Sequence, residues 1–243
     1  MSTRTWALVA IGALVLLTVG GTALAGCGGG ESEESETPEA SETSSESTIP
    51  ESLRAVESGA EDTIDYVLSG DRAQAIEAAK ALDHAAHGEA ADDLATAGIP
   101  AARIEQLRTR AANVAEIAAD GEPVAVALAA NRVLGLVPGF FAAYSDPVPA
   151  DVLRLDYLDF EVKLEALAGN RQKTAAAAGS LKRTWNGLQS QVVAAGGESE
   201  AKSFTAHVDS MESLLRTGSA QEIADEAQHG LDLVDELEGV YTG

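Results

Sequence analysis

From Glu51 to Gly243 apolar residues recur three and four positions apart with polar residues between them, the period of a helix packed along one face. Ile76, Ala79, Ala86, Ala90 and Leu94 follow this spacing, as do Leu181, Trp185, Leu188 and Val192, and then Ile223, Ala227 and Val234. The alternation of period two that marks strands is missing, so the pattern predicts an all-α chain. Breaks fall at Gly70-Asp71, Gly98-Ile99-Pro100, Gly121-Glu122-Pro123, Pro147 to Pro149, Gly169-Asn170, Gly196-Gly197 and Gly218-Ser219. Glycine closing one helix and Asp, Asn or Ser opening the next is the chemistry of a tight helix-helix turn. The reading is about eight antiparallel helices, most about 18 to 25 residues long.

The two halves echo one another. A shift of 99 residues lays Leu68 and Gly70 on Leu167 and Gly169, Asp71 on Asn170, Leu82 on Leu181 and Gly98 on Gly197. The register then slips by two, placing Gly121 on Gly218, Leu134 on Leu231 and Val137 on Val234. This predicts two similar four-helix bundles, or one helical-hairpin array, with unit 1 over 51–145 and unit 2 over 150–241. The helix from Asp151 to Ala168 carries two apolar stripes, Leu155, Leu158 and Val162 on one side and Leu153, Tyr157, Phe160, Leu164 and Leu167 on the other. A helix apolar on two sides packs on two sides, which places it where the halves meet. Pro138 is expected to kink the helix before it.

That junction is the candidate ligand cleft. Phe140, Phe141, Tyr144 and Tyr157 would form its floor, with Asp156 and Asp159 at its rim, because ligands settle between repeated units. The competing reading makes the aromatics core and leaves Asp159 with Lys163 as a surface i,i+4 pair.

The first fifty residues carry a different pattern. Arg4 precedes an apolar run from Trp6 to Leu17, small residues follow from Thr18 to Ala23, and the run ends in Leu24-Ala25-Gly26-Cys27. A basic start, an apolar middle and a small-residue end define an export leader, here residues 1–26. The final four residues resemble the bacterial lipobox. That resemblance implies a diacylglycerol thioether on Cys27, cleavage after Gly26, and a mature lipoprotein with palmitate-type acyl chains in the cell membrane. Where the host has an outer membrane, Gly28 after the acylated cysteine resembles the pattern sorted outward. The alternative to cleavage is an uncleaved spanning helix, since Trp6 to Ala25 has about the twenty residues required. Residues 27–50 continue as Gly28-Gly29-Gly30 and a run of Glu, Ser and Thr, too poor in apolar surface to order itself. Such a stalk spans roughly 30 Å as a coil and about 80 Å when stretched.

Composition narrows the partners. The chain holds 16 basic and 39 acidic residues, and losing the leader removes one of the basic ones, Arg4. Such an excess disfavours nucleic acid and direct adsorption to an anionic membrane surface. The expected partners are the membrane through the lipid, and an envelope protein or a small ligand. Cys27 is the sole cysteine, so no disulfide forms within the chain.

Candidate chemistry is sparse. His84 and His87, at i,i+3 with Asp83 and Glu89 nearby, form the candidate metal site. Glu226-Ala227-Gln228-His229 has the Glu-x-x-His form of ferritin-like di-iron bundles, but such centres need a second copy, and the chain has one. The Gly-x-His-x-x-Glu of imelysin-like iron proteins, the Gly-x-Ser-x-Gly elbow and the phosphate loop are not in the sequence. No catalytic residue is assigned. The leading expectation is a non-enzymatic, lipid-anchored, extracytoplasmic helical binding or scaffold module, accessory to a transporter or envelope complex. The alternative is an extracytoplasmic metal-binding lipoprotein using His84 and His87.

Overall fold

The computed structural model describes residues 47–243; the leader, Cys27 and the stalk up to Glu46 lie outside them. Among the described residues all regular structure is helical, in ten helices. These are α1 (Glu51–Ser69), α2 (Arg72–His87), α3 (Glu89–Thr96), α4 (Ala101–Ile117), α5 (Pro123–Leu134), α6 (Val137–Phe141), α7 (Ala150–Leu167), α8 (Arg171–Ala194), α9 (Glu198–Thr217) and α10 (Ala220–Thr242). The eight expected segments are all present, and two of them are broken, which accounts for the higher number.

The breaks have local causes. At Gly88 the backbone turns to φ −95°, ψ −130°, and its N–H donates back to the carbonyls of His84 and Ala85. Without a side chain, glycine visits such conformations at little cost. The other break falls at Gly135-Leu136, ahead of Pro138. Proline cannot donate the helical hydrogen bond and crowds the preceding turn. The helix therefore stops and restarts with Pro138 in the first turn of α6, where its missing N–H costs nothing. An interruption stands where the sequence predicted a kink.

The turns use one device repeatedly. Gly70, Gly98, Gly169 and Gly196 have φ between 73° and 95°. After each, the next residue's N–H reaches a carbonyl five positions back: Asp71 to Tyr66, Ile99 to Leu94, Asn170 to Glu165 and Gly197 to Val192. This is the left-handed closure that satisfies the last carbonyls of a helix. Asp71 caps α2 through the N–H of Gln74, and Ser219 forms a reciprocal capping box with Glu222. Asn170 makes no side-chain cap, so that expected role passes to the backbone alone.

Two rings of four helices result. In the first, α1 packs on α2 and α5, and α4 closes the ring between them, with α3 and α6 both packed against α1. In the second, α7 packs on α8 and α10, and α9 closes the ring. The rings share a wall where α5 and α6 lie against α7. The segment Pro123–Phe141 is long and apolar enough to cross a membrane, yet 67% of its most apolar stretch is buried in the fold. Its buried hydrophobic residues all belong to the first core, and a helix packed on most of its surface has that composition.

The two stripes of α7 go to different cores. Phe160 and Leu164 are buried with the first ring, and Leu153 and Tyr157 pack against the same core. Leu155 and Leu158 join Trp185, Leu188, Phe204 and Val234 in the second, and Val162 joins Met211 and Ala227 at its far end. Leu167 is the exception, 37% exposed at the last turn. Across the shared wall the Tyr157 ring lies so close to Gly135 that a Cβ there would sit 2.9 Å from it. Buried Asn131 of α5 donates to the Glu161 carboxylate of α7 at 2.8 Å. Shape and hydrogen bonding thus fix the register of one bundle on the other.

The last four residues of the expected stalk belong to the fold. The Thr48 N–H donates to the Ser145 carbonyl at 2.7 Å, and the Ser145 N–H donates to Thr48 Oγ1 at 2.9 Å. Ile49, the one large apolar residue between Glu31 and Pro50, is buried in the first core. Burying such a side chain offsets the ordering of a few residues by about 1.5–3 kcal/mol.

Candidate functional site

The expected cleft is a packed wall. Phe140 and Phe141 are 1% and 4% exposed inside the first core, so they form no open floor. Phe140 carries the Arg103 guanidinium over its ring at 5.1 Å. Tyr144 donates its hydroxyl to the Asp93 carbonyl at 3.0 Å. Tyr157 lies between the bundles, and burial raises its phenol above the ordinary value. Asp156 is buried, and Asp159 is 0% exposed and far from any rim. A small cavity of about 160 Å³ does occur, but between α8 and α9, lined by Ala175, Ala178, Gly179, Val208, Met211 and Leu215. That volume is below the range of pockets that hold drug-sized ligands, about 300–1,000 Å³.

His84 and His87 are exposed on the outer flank of α2. His87 Nδ1 lies 3.0 Å from Asp83 Oδ1 and 3.1 Å from the Asp83 carbonyl oxygen. Among the described residues no group of three or more His, Cys, Asp or Glu is placed to hold a metal ion. His84 and His87 lie one turn apart on α2.

The concentrated chemistry lies inside the second bundle. Asp159 on α7, His207 on α9 and Glu226 on α10 form one chain of contacts: His207 Nε2 is 3.1 Å from Asp159 Oδ1, and Nδ1 is 2.8 Å from Glu226 Oε1. The side chains of Asp159 and His207 are fully buried, and that of Glu226 is 18% exposed, so the node touches solvent at one end. Phe204 presents its ring to His207 in an edge contact at 5.2 Å, and Trp185 packs on Phe204 at 4.7 Å. The exposed ring of His229 stands 6.3 Å from that of His207.

Gly230 makes the node sterically possible. A Cβ at that position would fall 2.5 Å from His207 Nε2 and 2.6 Å from both Asp159 Cγ and Oδ2. Helix α10 therefore approaches the pair with bare backbone, and Glu226, one turn earlier on the same face, supplies the third member.

Burial opposes charge on His207, but the hydrogen bonds and charges of Asp159 and Glu226 outweigh it and hold the imidazole above its usual value. Burial also raises the Asp159 carboxyl, against the hydrogen bond and charge of His207. Asp159 Oδ2 is buried and accepts no hydrogen bond, which leaves its charge under-compensated. Both imidazole nitrogens are engaged, and they face carboxylates on opposite sides. The ring consequently has no free nitrogen for a metal or for proton abstraction from a substrate. What it can do is hold protons and bind three helices together.

Sequence reasoning placed Asp159 on a rim because it lies between two apolar stripes. On a helix packed from both sides, the strip between them is buried as well. The signal for His207 was present: it sits three residues after Phe204 and four before Met211, on the buried face of α9. Glu226 entered the reading only as part of Glu-x-x-His229, whereas its partner is His207.

A second acidic node lies where the chain enters the fold. Ser47 bonds the Asp146 carboxylate, and Arg54 reaches Asp146 at 3.2 Å and Ser47 at 2.6 Å. One turn further along α1, half-buried Glu57 has its carboxyl pushed up to about 8, by burial first, then by Glu238 of α10, against the opposing charge of Arg54, with Asp146 adding to the rise. Because the folded value lies above the unfolded one, this group's favourable contribution is complete below about pH 4.5 and disappears as pH rises to about 8. Glu57→Gln is therefore expected to raise stability by roughly 1–2 kcal/mol at pH 8, after allowance for solvent screening, and to leave it unchanged at pH 4. Urea unfolding at the two pH values measures the difference.

No family model matches the chain, and neither a curated protein nor a solved structure is found to match it.

Proposed function

We propose that the chain is a lipid-anchored extracytoplasmic module whose helical domain binds or scaffolds a partner at the bacterial cell envelope. The observation that carries this reading is the leader ending in Leu24-Ala25-Gly26-Cys27, followed directly by a Gly, Ser, Thr and Glu stalk. Acylation at Cys27 places the protein on a membrane, and the stalk lets it stand away from that surface. Two acyl chains suffice for stable anchoring, since each buried methylene contributes about 0.8 kcal/mol.

The point of attachment supports the same reading. The first described residues lie on the linker between the bundles, where Ser47 and Thr48 bond Asp146 and Ser145. A tether fixed there holds the domain near its middle and leaves the far turns of both bundles, around Gly70 and Gly169, exposed to a partner. The excess of acidic residues favours a basic surface on that partner. A protein or transporter subunit of the envelope fits better than an anionic lipid surface, which this charge repels.

Cys27→Ala tests the anchor. The unsubstituted chain is expected in the membrane fraction, extracted by detergent and not by high salt. The variant is expected in the soluble fraction or retained with an uncleaved leader, without incorporated fatty acid. Equal fatty-acid labelling and equal membrane retention in the two proteins would overturn the proposal.

A further inference from the structure

The node of Asp159, His207 and Glu226 imposes a proton count. Each imidazole nitrogen lies within hydrogen-bonding distance of a carboxylate oxygen, at 3.1 and 2.8 Å. Each contact is attractive only if a proton lies between the two atoms. Three side chains on three helices therefore need two shared protons. With only one, a nitrogen lone pair faces a carboxylate lone pair in a site where Asp159 and His207 are sealed from water. Asp159 and the His207 ring have no room to relieve this, because Gly230 lies against both and Phe204 bounds the ring, so the partly exposed Glu226 is the member that turns away to water.

We propose that these three side chains form a proton latch, tying α9 to both α7 and α10 while two protons are shared among them and freeing α9 from α10 when one leaves. The site has the parts a latch needs. Glu226 is partly exposed, giving protons a route to solvent through the outer member. His229, also on α10, stands beside the ring and its charge acts on Asp159. On α7, Asp156 and Lys163 lie one turn to either side of Asp159, and Lys163 donates to Gln228 of α10 at 2.6 Å, a tie that does not involve α9. Helix α8 faces α9 with Trp185, while its Lys182 forms an exposed pair with Glu212 of α9, and its Lys173 pairs with Glu165 of α7. His207 is thus the titrating link specific to α9, and the α7–α10 contact persists when it opens.

The sign follows from the raised imidazole. An unfolded histidine holds its second proton below about pH 6.5. The folded node keeps it to higher pH, so the latch is fully closed below that value and opens as pH rises through the folded one.

Hydrogen–deuterium exchange of the full chain tests this, with α9 amides compared with α4 amides at pH 6 and pH 9.5 after correction for intrinsic exchange. The expected result is a loss of α9 protection, relative to α4, of more than about tenfold at the higher pH. His207→Gln, which does not titrate, is expected to show no such step. Imidazole nitrogen shifts of the unsubstituted chain supply a reading independent of any variant: both His207 nitrogens are expected to be protonated at pH 6. A constant α9-to-α4 ratio across the range, or a bare nitrogen on His207 with both Asp159 and Glu226 ionised at pH 6, would overturn the latch.

Discussion

Gly230→Ala is expected to destabilise the protein by about 3–4 kcal/mol, a large effect for one methyl group. The added Cβ would lie 2.5 Å from His207 Nε2 and 2.6 Å from Asp159 Cγ, closer than non-bonded atoms tolerate. Overpacking alone costs about 1–3 kcal/mol. Here the atoms that must move are fully buried and hydrogen-bonded to one another, so relief stretches the bonds that satisfy them. The helical preference of alanine over glycine returns about 1 kcal/mol and does not reverse the sign. Gly187 provides the control, because it is exposed in α8 with nothing within 4 Å of its Cβ position. Gly187→Ala is expected to stabilise by about 0.5–1 kcal/mol. Urea denaturation of both variants checks the contrast, and equal effects would contradict the packing described for α10.

His207→Leu is expected to cost about 3–5 kcal/mol at pH 7, because it leaves Asp159 buried without its partner. Glu226 can turn its partly exposed carboxylate to water, so the penalty is concentrated on Asp159. The double variant Asp159→Leu, His207→Leu removes the uncompensated group and is expected to recover most of that loss. Replacing a buried ion pair by apolar side chains of similar volume is often nearly neutral. A double-mutant cycle in chemical denaturation reads the coupling. Strict additivity of the two single changes would show that Asp159 and His207 contribute independently.

Such sensitivity was hard to read from sequence because it depends on which helices meet. The helical period, the glycine turns and the double packing of α7 were legible, since each is set within a few residues. Leu155 and Phe160 do face separate cores, as their angular separation on one helix requires. The break at Gly88 was not legible, whereas Pro138 announced the one at Gly135-Leu136 as a kink. Glycine within a helical pattern is compatible with continuity, and Gly187 lies inside unbroken α8. The ordering of Ser47 to Pro50 depended on a receptor nearly 100 residues away, the linker at Ser145 and Asp146. Asp159 was misplaced because its companion, His207, lies two helices further along the chain. The aromatic cluster at Phe140 and Phe141 followed the commoner fate of aromatics at helical spacing and became core.

The buried node and the tether concern different levels of the molecule. The first governs how the second bundle holds together, and the second is the proposed means of placing the domain at a membrane. The functional reading rests on the tether, and intact-mass and peptide mass spectrometry of the protein extracted from membranes of a bacterium expressing the full chain tests it most directly. The expected product is a mature chain that begins at Cys27 and carries a diacylglyceryl group on that sulfur, with residues 1–26 gone. A chain that retains Met1 to Gly26 with an unmodified Cys27 thiol, or one cleaved elsewhere and free of lipid, would contradict it.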